Sequence, residues 1–563
     1  MTRTFATELL KAFREVPEQV AIVLQRRGLP DLPLTYRQLT EGAAAYASAL
    51  EGAGVQPGEV VILILQHGED LPYAFWGAVL HGSIPSIMPF LTEKLSPESY
   101  RRSLRALFEV TAPAAAITYP EFVHEVRQAI PDGSSVRTVL DSGQVHPSTI
   151  FDSSRLGGLR RAEGESVLLQ HTSGTTGLQK GVELSHRAVF NQLDSYAAAI
   201  QLDPGDVIVS WLPLYHDMGL IAGFILPVLR RIRLVLSSPF DWVRAPASLL
   251  AAISNYRGSL VWLPNFAYNF CAQKIRTREL EGLDLSSWRA VINCSEPMHW
   301  RSHQQFLERF QPYGLRPQAL ATCYAMAENV FAVTQGGINA PVRLDTIDQA
   351  AFLASGAARP SQPGQAEMKL LSAGVPISGT QVCILNEQRQ EQPERQLGEI
   401  AIRSNYLLSG YYNRPDLTSS AFSDGWYLTG DLGYLADGEL YVTGRKKDLI
   451  IVGGKNIYPQ DLERLAGEVE GIHPGRVVAF GVFNEQIGTE EVVLIAEAEN
   501  TPTGAPLADQ AQALADQVRG HITRSSDIAL RYVKIVQRGW LLKTSSGKVA
   551  RNANREKYLE SLD

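Results

Sequence analysis

From about residue 55 to 325, short β-branched runs alternate with longer amphipathic ones. VVILIL (60–65) precedes LPYAFWGAVLHG, DVIVSWLP (206–213) precedes MGLIAGFILPVL, and RLVLSS (233–238) precedes ASLLAAISNY. SLVWLP (259–264) then precedes FAYNFCAQKI, and AVINCSEP (290–297) precedes HWRSHQQFLERF. Strand–helix repetition of this kind predicts an α/β fold with parallel sheets covered by helices. From about 365 to 445 the pattern shortens to TQVCILNE, GEIAIRS and GWYLTGDLGYLADGELYVTG, with Asp424-Gly425 and Asp437-Gly438 as hairpin turns. This part reads as antiparallel sheet or a small β-barrel. After Arg445-Lys446-Lys447 the remaining residues predict a compact α+β unit, with strands VVAFGVF, EVVLIAEA and RYVKIV, a helix across 506–523 and a terminal helix. RPSQPGQA (359–366) and TPTGAPL (501–507) read as loops.

Composition narrows the class. The 563 residues, 45% hydrophobic and 20% charged, have room for three to four domains and exclude disorder as the main state. A net charge of −7 leaves no electrostatic footprint for nucleic acid. The four cysteines, at 271, 294, 323 and 383, form no CxxC pair, which suits a reducing compartment. The longest apolar stretch, Met218 to Leu229, is too short for a membrane span and is closed by Arg230-Arg231. The opening MTRTFATELLKAFREV lacks the apolar core of a secretory signal, so a cytoplasmic protein is expected.

Three segments carry candidate chemistry. Thr172-Ser173-Gly174-Thr175-Thr176-Gly177-Leu178-Gln179-Lys180-Gly181 follows the strand SVLLQ and precedes a helix beginning after Ser185. Glycines admit a polyanion close to the backbone, hydroxyls and amides donate to its oxygens, and lysine adds charge. The pattern is not a Walker A loop, and a plain Ser/Thr/Gly linker is the alternative. Second, an aspartate at the Thr-Gly-Asp431 turn can accept two ribose hydroxyls, with Arg445 reinforcing from the next strand; a turn-forming role is the alternative. Third, Lys543-Thr-Ser-Ser-Gly-Lys548 repeats the hydroxyl, glycine and lysine chemistry, where a solvated basic tail is the alternative.

In order and spacing, these three segments together with LPLYHDMG (212–219), NCSEP (293–297), YAMAE (324–328) and GRKKDLI (444–450) resemble the adenylate-forming superfamily of acyl-CoA synthetases, adenylation domains and luciferases. The resemblance runs from LTYRQL (34–39) to Lys548. It implies a large N-terminal domain, 1–445, and a small mobile α+β cap, 446–563, with ATP and Mg2+ as the nucleotide and metal. It also implies roles. Thr172, Ser173, Gly174, Thr175, Thr176, Gly177 and Lys180 would hold the ATP phosphates, with Ser295 and Glu296 also at the nucleotide. Tyr324 would stack on adenine, and Asp431 and Arg445 would bind the ribose. Glu328, with Thr176, would hold the magnesium ion. His216 would stand between acyl tunnel and nucleotide, and Lys548 would stabilise charge at the α-phosphate. Lys447 matches the hinge. The chain departs from the family at Gln179, Ala325 and Leu542, none of which removes a charged or metal-binding group.

WLPLYHDMGLI, LPNFAY (263–268) and GGKNIYPQDLE (453–463) resemble fatty acyl-AMP ligases, which pass the acyl-adenylate to an acyl carrier protein. Segment 336–370 resembles the insertion that in that branch restrains the small domain and disfavours coenzyme A, although His171 departs from an aromatic residue common there. Coenzyme A as acceptor and a non-adenylating binder are the alternatives. An acidic carrier would dock at Arg230-Arg231-Arg233 or Arg445-Lys446-Lys447. Asn265, Phe266, Tyr268 and Trp300 are candidates to line the acyl pocket. His299 and His303, four apart on a predicted helix, read as a polar helix face rather than a zinc pair.

Overall fold

The computed structural model describes residues 2–91, 97–146, 156–172, 180–452, 455–484, 489–499, 508–525, 530–544 and 547–562. Its centre is a nine-stranded sheet. Six neighbouring strands run parallel, in the order Leu320–Ala325, Ala290–Asn293, Leu260–Leu263, Val207–Ser210, Arg233–Leu236 and Val20–Leu24, with antiparallel strands at both edges. Strands Leu260–Leu263 and Ala290–Asn293 are buried at every residue, because helices cover both faces. A second, four-stranded parallel sheet holds Ile84–Ile87, Val60–Ile64, Ala115–Thr118 and Thr138–Asp141.

Two helices depart from the predicted amphipathic form. In Asp70–His81 every residue from Leu71 onward is buried, as befits a helix enclosed on all sides. It packs on Tyr36–Gly52 so closely that a Cβ on Gly77 would lie 2.7 Å from the Ala43 carbonyl oxygen. MGLIAGFI, at Met218–Ile225, is a wide π-helix continued by Leu226–Arg230. Such turns concentrate at functional sites.

The β-rich part is antiparallel throughout. Thr380–Leu385 pairs with Gly398–Ser404, which pairs with Trp426–Ala436; Phe422–Ser423 and Glu439–Arg445 flank the last. Asp424-Gly425 and Asp437-Gly438 both have positive φ, as two-residue type I′ hairpins demand. Within the 336–370 segment, Leu344–Asp348 pairs with Glu367–Leu371 around the short helix Gln349–Ser355, which Asp348 caps by accepting from Ala350 N at 2.9 Å.

The C-terminal α+β unit has Ile472–Asn484 antiparallel to Thr489–Ala498, which runs parallel to Tyr532–Val536 across the crossover helix Ala508–Ser525. Its two apolar clusters draw on residues from Ile450 onward. A further cluster joins Phe352 of the 336–370 segment to Tyr434, Tyr441 and Tyr458, with the Phe352 and Tyr458 rings stacked at 6.3 Å. No helix among the described residues is long and apolar enough to cross a membrane.

Candidate active site

In open parallel sheets, ligands bind where strands end at their carboxyl side. Three such ends converge here. Val207–Ser210 leads to His216 and Asp217, Ala290–Asn293 leads to Ser295 and Glu296, and Leu320–Ala325 carries Tyr324 and leads to Glu328. Opposite them stand Asp431 and Arg445, facing residues of one hairpin.

The Tyr324 hydroxyl donates to Asp431 Oδ2 at 2.6 Å, and Arg445 Nε lies 3.2 Å from Oδ1. The Thr429 hydroxyl accepts from Asp431 N at 3.0 Å and fixes the turn. Burial and the neighbouring carboxylate push the Tyr324 phenol well above its usual range. Each Asp431 oxygen keeps a second lone pair for a hydroxyl.

Glu328 sits in the short turn Ala327–Asn329. Its Oε1 accepts from Tyr411 OH at 2.9 Å, which shares a hydrogen bond of 2.9 Å with Tyr427 OH. The Lys180 ammonium lies 4.8 Å from the centre of the Tyr411 ring. Burial raises the Glu328 carboxyl. The turn is held by the buried Gln192, whose Nε2 donates to the carbonyls of Asn329 at 3.2 Å and Ala332 at 3.0 Å. Val330, at φ +63°, is strained there, as a β-branched residue in left-handed backbone must be.

Lys548 reaches this centre from the C-terminal unit, donating from Nζ to the Ser295 carbonyl oxygen. An isolated antiparallel bridge joins its neighbour Val549 to Lys543, and Thr544 N donates to the Lys548 carbonyl at 2.7 Å. Asn554, fully buried, braces the approach to this bridge by bonding Leu542 N and O, both at 2.8 Å. Desolvation raises three half-buried carboxyls, Asp217, Glu296 and Glu328; the Lys548 charge pulls the first two back down. His216 is pushed down to about 3 by burial and then by the Lys548 charge, so its imidazole is neutral. Burial likewise lowers His171 to about 4.

Thr172 ends the strand Ser166–Thr172 directly opposite Lys180, so the candidate phosphate loop links a hairpin; the predicted helix starts at His186, capped by Ser185. Ser173, Gly174, Thr175, Thr176 and Gly177 lie outside the described residues. Lys447 occupies a turn, Lys446–Asp448, and is lowered by burial and by Arg445. His299 and His303 are not a polar helix face. The helix begins at Trp300, and His303 is buried, stacked on Tyr268 at 5.0 Å and 3.1 Å from Asn293 Nδ2. Tyr268 is a core residue, its hydroxyl donating to Val291 O at 2.9 Å. Phe266 is partly exposed, edge-on to the stacked Trp211 and Trp242, whose rings lie 3.6 Å apart. Within the basic runs Arg230 pairs with Asp194, Arg231 with Glu15, Arg445 with Asp431 and Lys446 with Glu399, while Arg233 is exposed.

Tyr411 and Gln192 carry letters that announce no phosphate chemistry, and Asp217 and Tyr427 are visible in the sequence only as parts of LPLYHDMG and GWYLTGDLGYLADGELYVTG. The described residues contain no group of three or more His, Cys, Asp or Glu that could hold a metal.

Residues 10–412 match the AMP-binding enzyme family, and the chain belongs to it. It is an AMP-forming ligase with the adenylate-forming fold, and its relatives are fatty acyl-AMP ligases. The long-chain-fatty-acid–AMP ligase FadD26 of Mycobacterium bovis is 31% identical over 549 residues, covering 93% of this chain and 91% of its own. The medium-chain-fatty-acid–acyl-carrier-protein ligase JamA of Moorena producens is 30% identical, covering 94% and 90%. A structure from work on fatty acyl-adenylate ligases of E. coli and L. pneumophila superposes with a TM-score of 0.89 at 28% identity, covering 99% of this chain and 98% of that one.

Proposed function

We propose that the protein condenses a fatty acid with ATP to an acyl-adenylate and passes the acyl group to the phosphopantetheine thiol of a carrier protein. One observation carries the reading: Lys548 crosses from the C-terminal unit onto the Ser295 carbonyl, beside Glu296 and Asp217. A substrate carboxylate oxygen attacks the α-phosphorus, the bond to the β-phosphate oxygen breaks, and pyrophosphate leaves. Lys548 neutralises the charge gathering on the α-phosphate and the attacking oxygen. Thr172, Ser173, Gly174, Thr175, Thr176, Gly177 and Lys180 hold the departing phosphates, Tyr324 takes the adenine face, and Asp431 with Arg445 takes the ribose. Magnesium, when bound, offsets phosphate charge. A half-buried carboxylate such as Glu328 would suit an ion held mostly by phosphate oxygens and water. Neutral His216 separates the acyl group from the nucleotide without adding charge.

For the second step the small domain, taken as 446–563, turns about Lys447. The thiol then attacks the acyl carbon and AMP leaves. Carrier protein is favoured over coenzyme A because the 336–370 segment is pinned to the C-terminal unit through Phe352 and Tyr458. Pyrophosphate exchange across fatty acids of varied length tests the first step. Offering coenzyme A and a holo carrier protein side by side tests the second, and efficient acyl-CoA formation would overturn the carrier assignment. Absence of exchange with every acid would leave a non-adenylating binder.

A further inference from the structure

We propose that Asn265 is a positioning residue for adenylation: its amide oxygen ties both ends of the 293–299 loop, so that the Ser295 carbonyl and the Glu296 carboxylate stand where Lys548 meets them. Asn265 Oδ1 accepts from Asn293 Nδ2 at 3.0 Å, at the loop's entry, and from His299 N at 3.1 Å, at its exit. Its Nδ2 donates to the Ser302 hydroxyl at 3.2 Å. The two donors on one side and the hydroxyl on the other fix which way the amide points. Asn293 is fixed in turn by His303 Nε2 at 3.1 Å, and all four side chains are buried.

The tie acts on a loop that needs one. Ser295 has φ +69°, left-handed backbone that a non-glycine residue keeps only where its surroundings over-determine it. The residue after Asn265 adds a second hold, Phe266 N donating to Glu296 Oε2 at 2.9 Å. Asn265 opens the helix Asn265–Lys274 directly after Pro264, at the end of a buried parallel strand, so the anchor is rigid. Asn265 touches neither Lys548 nor any reacting atom. It works through the loop.

The inference rests on Lys548 being the adenylation lysine, and the test separates the two. The measurements are pyrophosphate exchange and, separately, AMP release when pantetheine is offered with synthetic acyl-adenylate of the acid that gives the fastest wild-type exchange. Asn265→Ala should lower the exchange turnover by about tenfold or more while the KM for ATP changes little, because the reacting geometry rather than nucleotide affinity is lost. Acyl transfer from the preformed adenylate should stay near wild type. Ser302→Ala, which leaves both loop donors on Asn265 Oδ1, should lower exchange by much less than Asn265→Ala does. Asn265→Ser, polar but too short to span both donors, carries the same test if the alanine variant does not fold. Parallel loss of both half-reactions, or of neither, would overturn the positioning role. Undiminished exchange by Lys548→Ala would overturn the lysine assignment instead.

Discussion

The ammonium of Lys548 and the carbonyl oxygen of Ser295 meet although 253 residues separate them in the chain, and this bond joins the C-terminal unit to the end of a central strand. A cation held at that point can serve the first half-reaction only while the bond persists. Lys548→Ala should therefore cut pyrophosphate exchange by about a hundredfold or more, while thiol acylation from supplied acyl-adenylate is retained. Parallel assays of the two half-reactions check this.

Asp431 takes two donors, from Tyr324 and Arg445, before any ribose arrives. Asp431→Ala should raise the KM for ATP by about tenfold or more, in line with a lost hydrogen bond to a charged group. Tyr324→Phe keeps the ring and loses only the phenol that occupies the carboxylate. Its KM should stay within about threefold of wild type. Steady-state exchange kinetics at varied ATP distinguish the two.

The stacked Phe352 and Tyr458 rings couple the 336–370 segment to the C-terminal unit. Tyr458→Leu retains apolar volume and removes the stacking, a contribution of about 1 kcal/mol. Acylation of free coenzyme A relative to carrier protein should rise about fivefold, read from competition between the two thiols. An unchanged ratio would detach this contact from acceptor choice.

Burial pushes His303 from its usual 6.5 to about 3. Between those two pH values the unfolded chain holds a proton on this ring that the native chain refuses, so stability contributed by neutral His303 is lost as pH falls below about 6.5. His303→Gln cannot titrate. Its stability deficit against wild type should be greatest near pH 7.5 and shrink by about 1.4 kcal/mol per pH unit below 6.5. Urea unfolding from pH 5.5 to 8 measures it.

Strand–helix alternation made the parallel sheets legible, and the two Asp-Gly pairs located their hairpins, because both signals are local. Three residues named from the family resemblance lie together: Tyr324 hydrogen-bonds Asp431, and Arg445 pairs with the same carboxylate. What stayed hidden depends on packing. Nothing in MGLIAGFI distinguishes a π-helix from an α-helix. His303 reads as polar until its strand neighbour Asn293 and the Tyr268 ring are in place around it. The basic runs read as open surface because their carboxylate partners, Asp194, Glu15 and Glu399, lie far away in sequence. Asn265 was legible only as a pocket-lining candidate, since the loop it ties belongs to a different strand.

The wide helix after His216 also sets limits on redesign. A Cβ on Gly219 would fall 2.3 Å from the Pro213 carbonyl oxygen, and one on Gly223 would fall 2.7 Å from the Ser210 hydroxyl. The obstacle at 219 is backbone, so that position is closed to larger residues, whereas a side chain at 223 requires the Ser210 hydroxyl to turn away from Leu212 N. Substitutions that probe the proposed acyl pocket have more room at Phe266, edge-on to Trp211 and Trp242, where one ring already meets solvent.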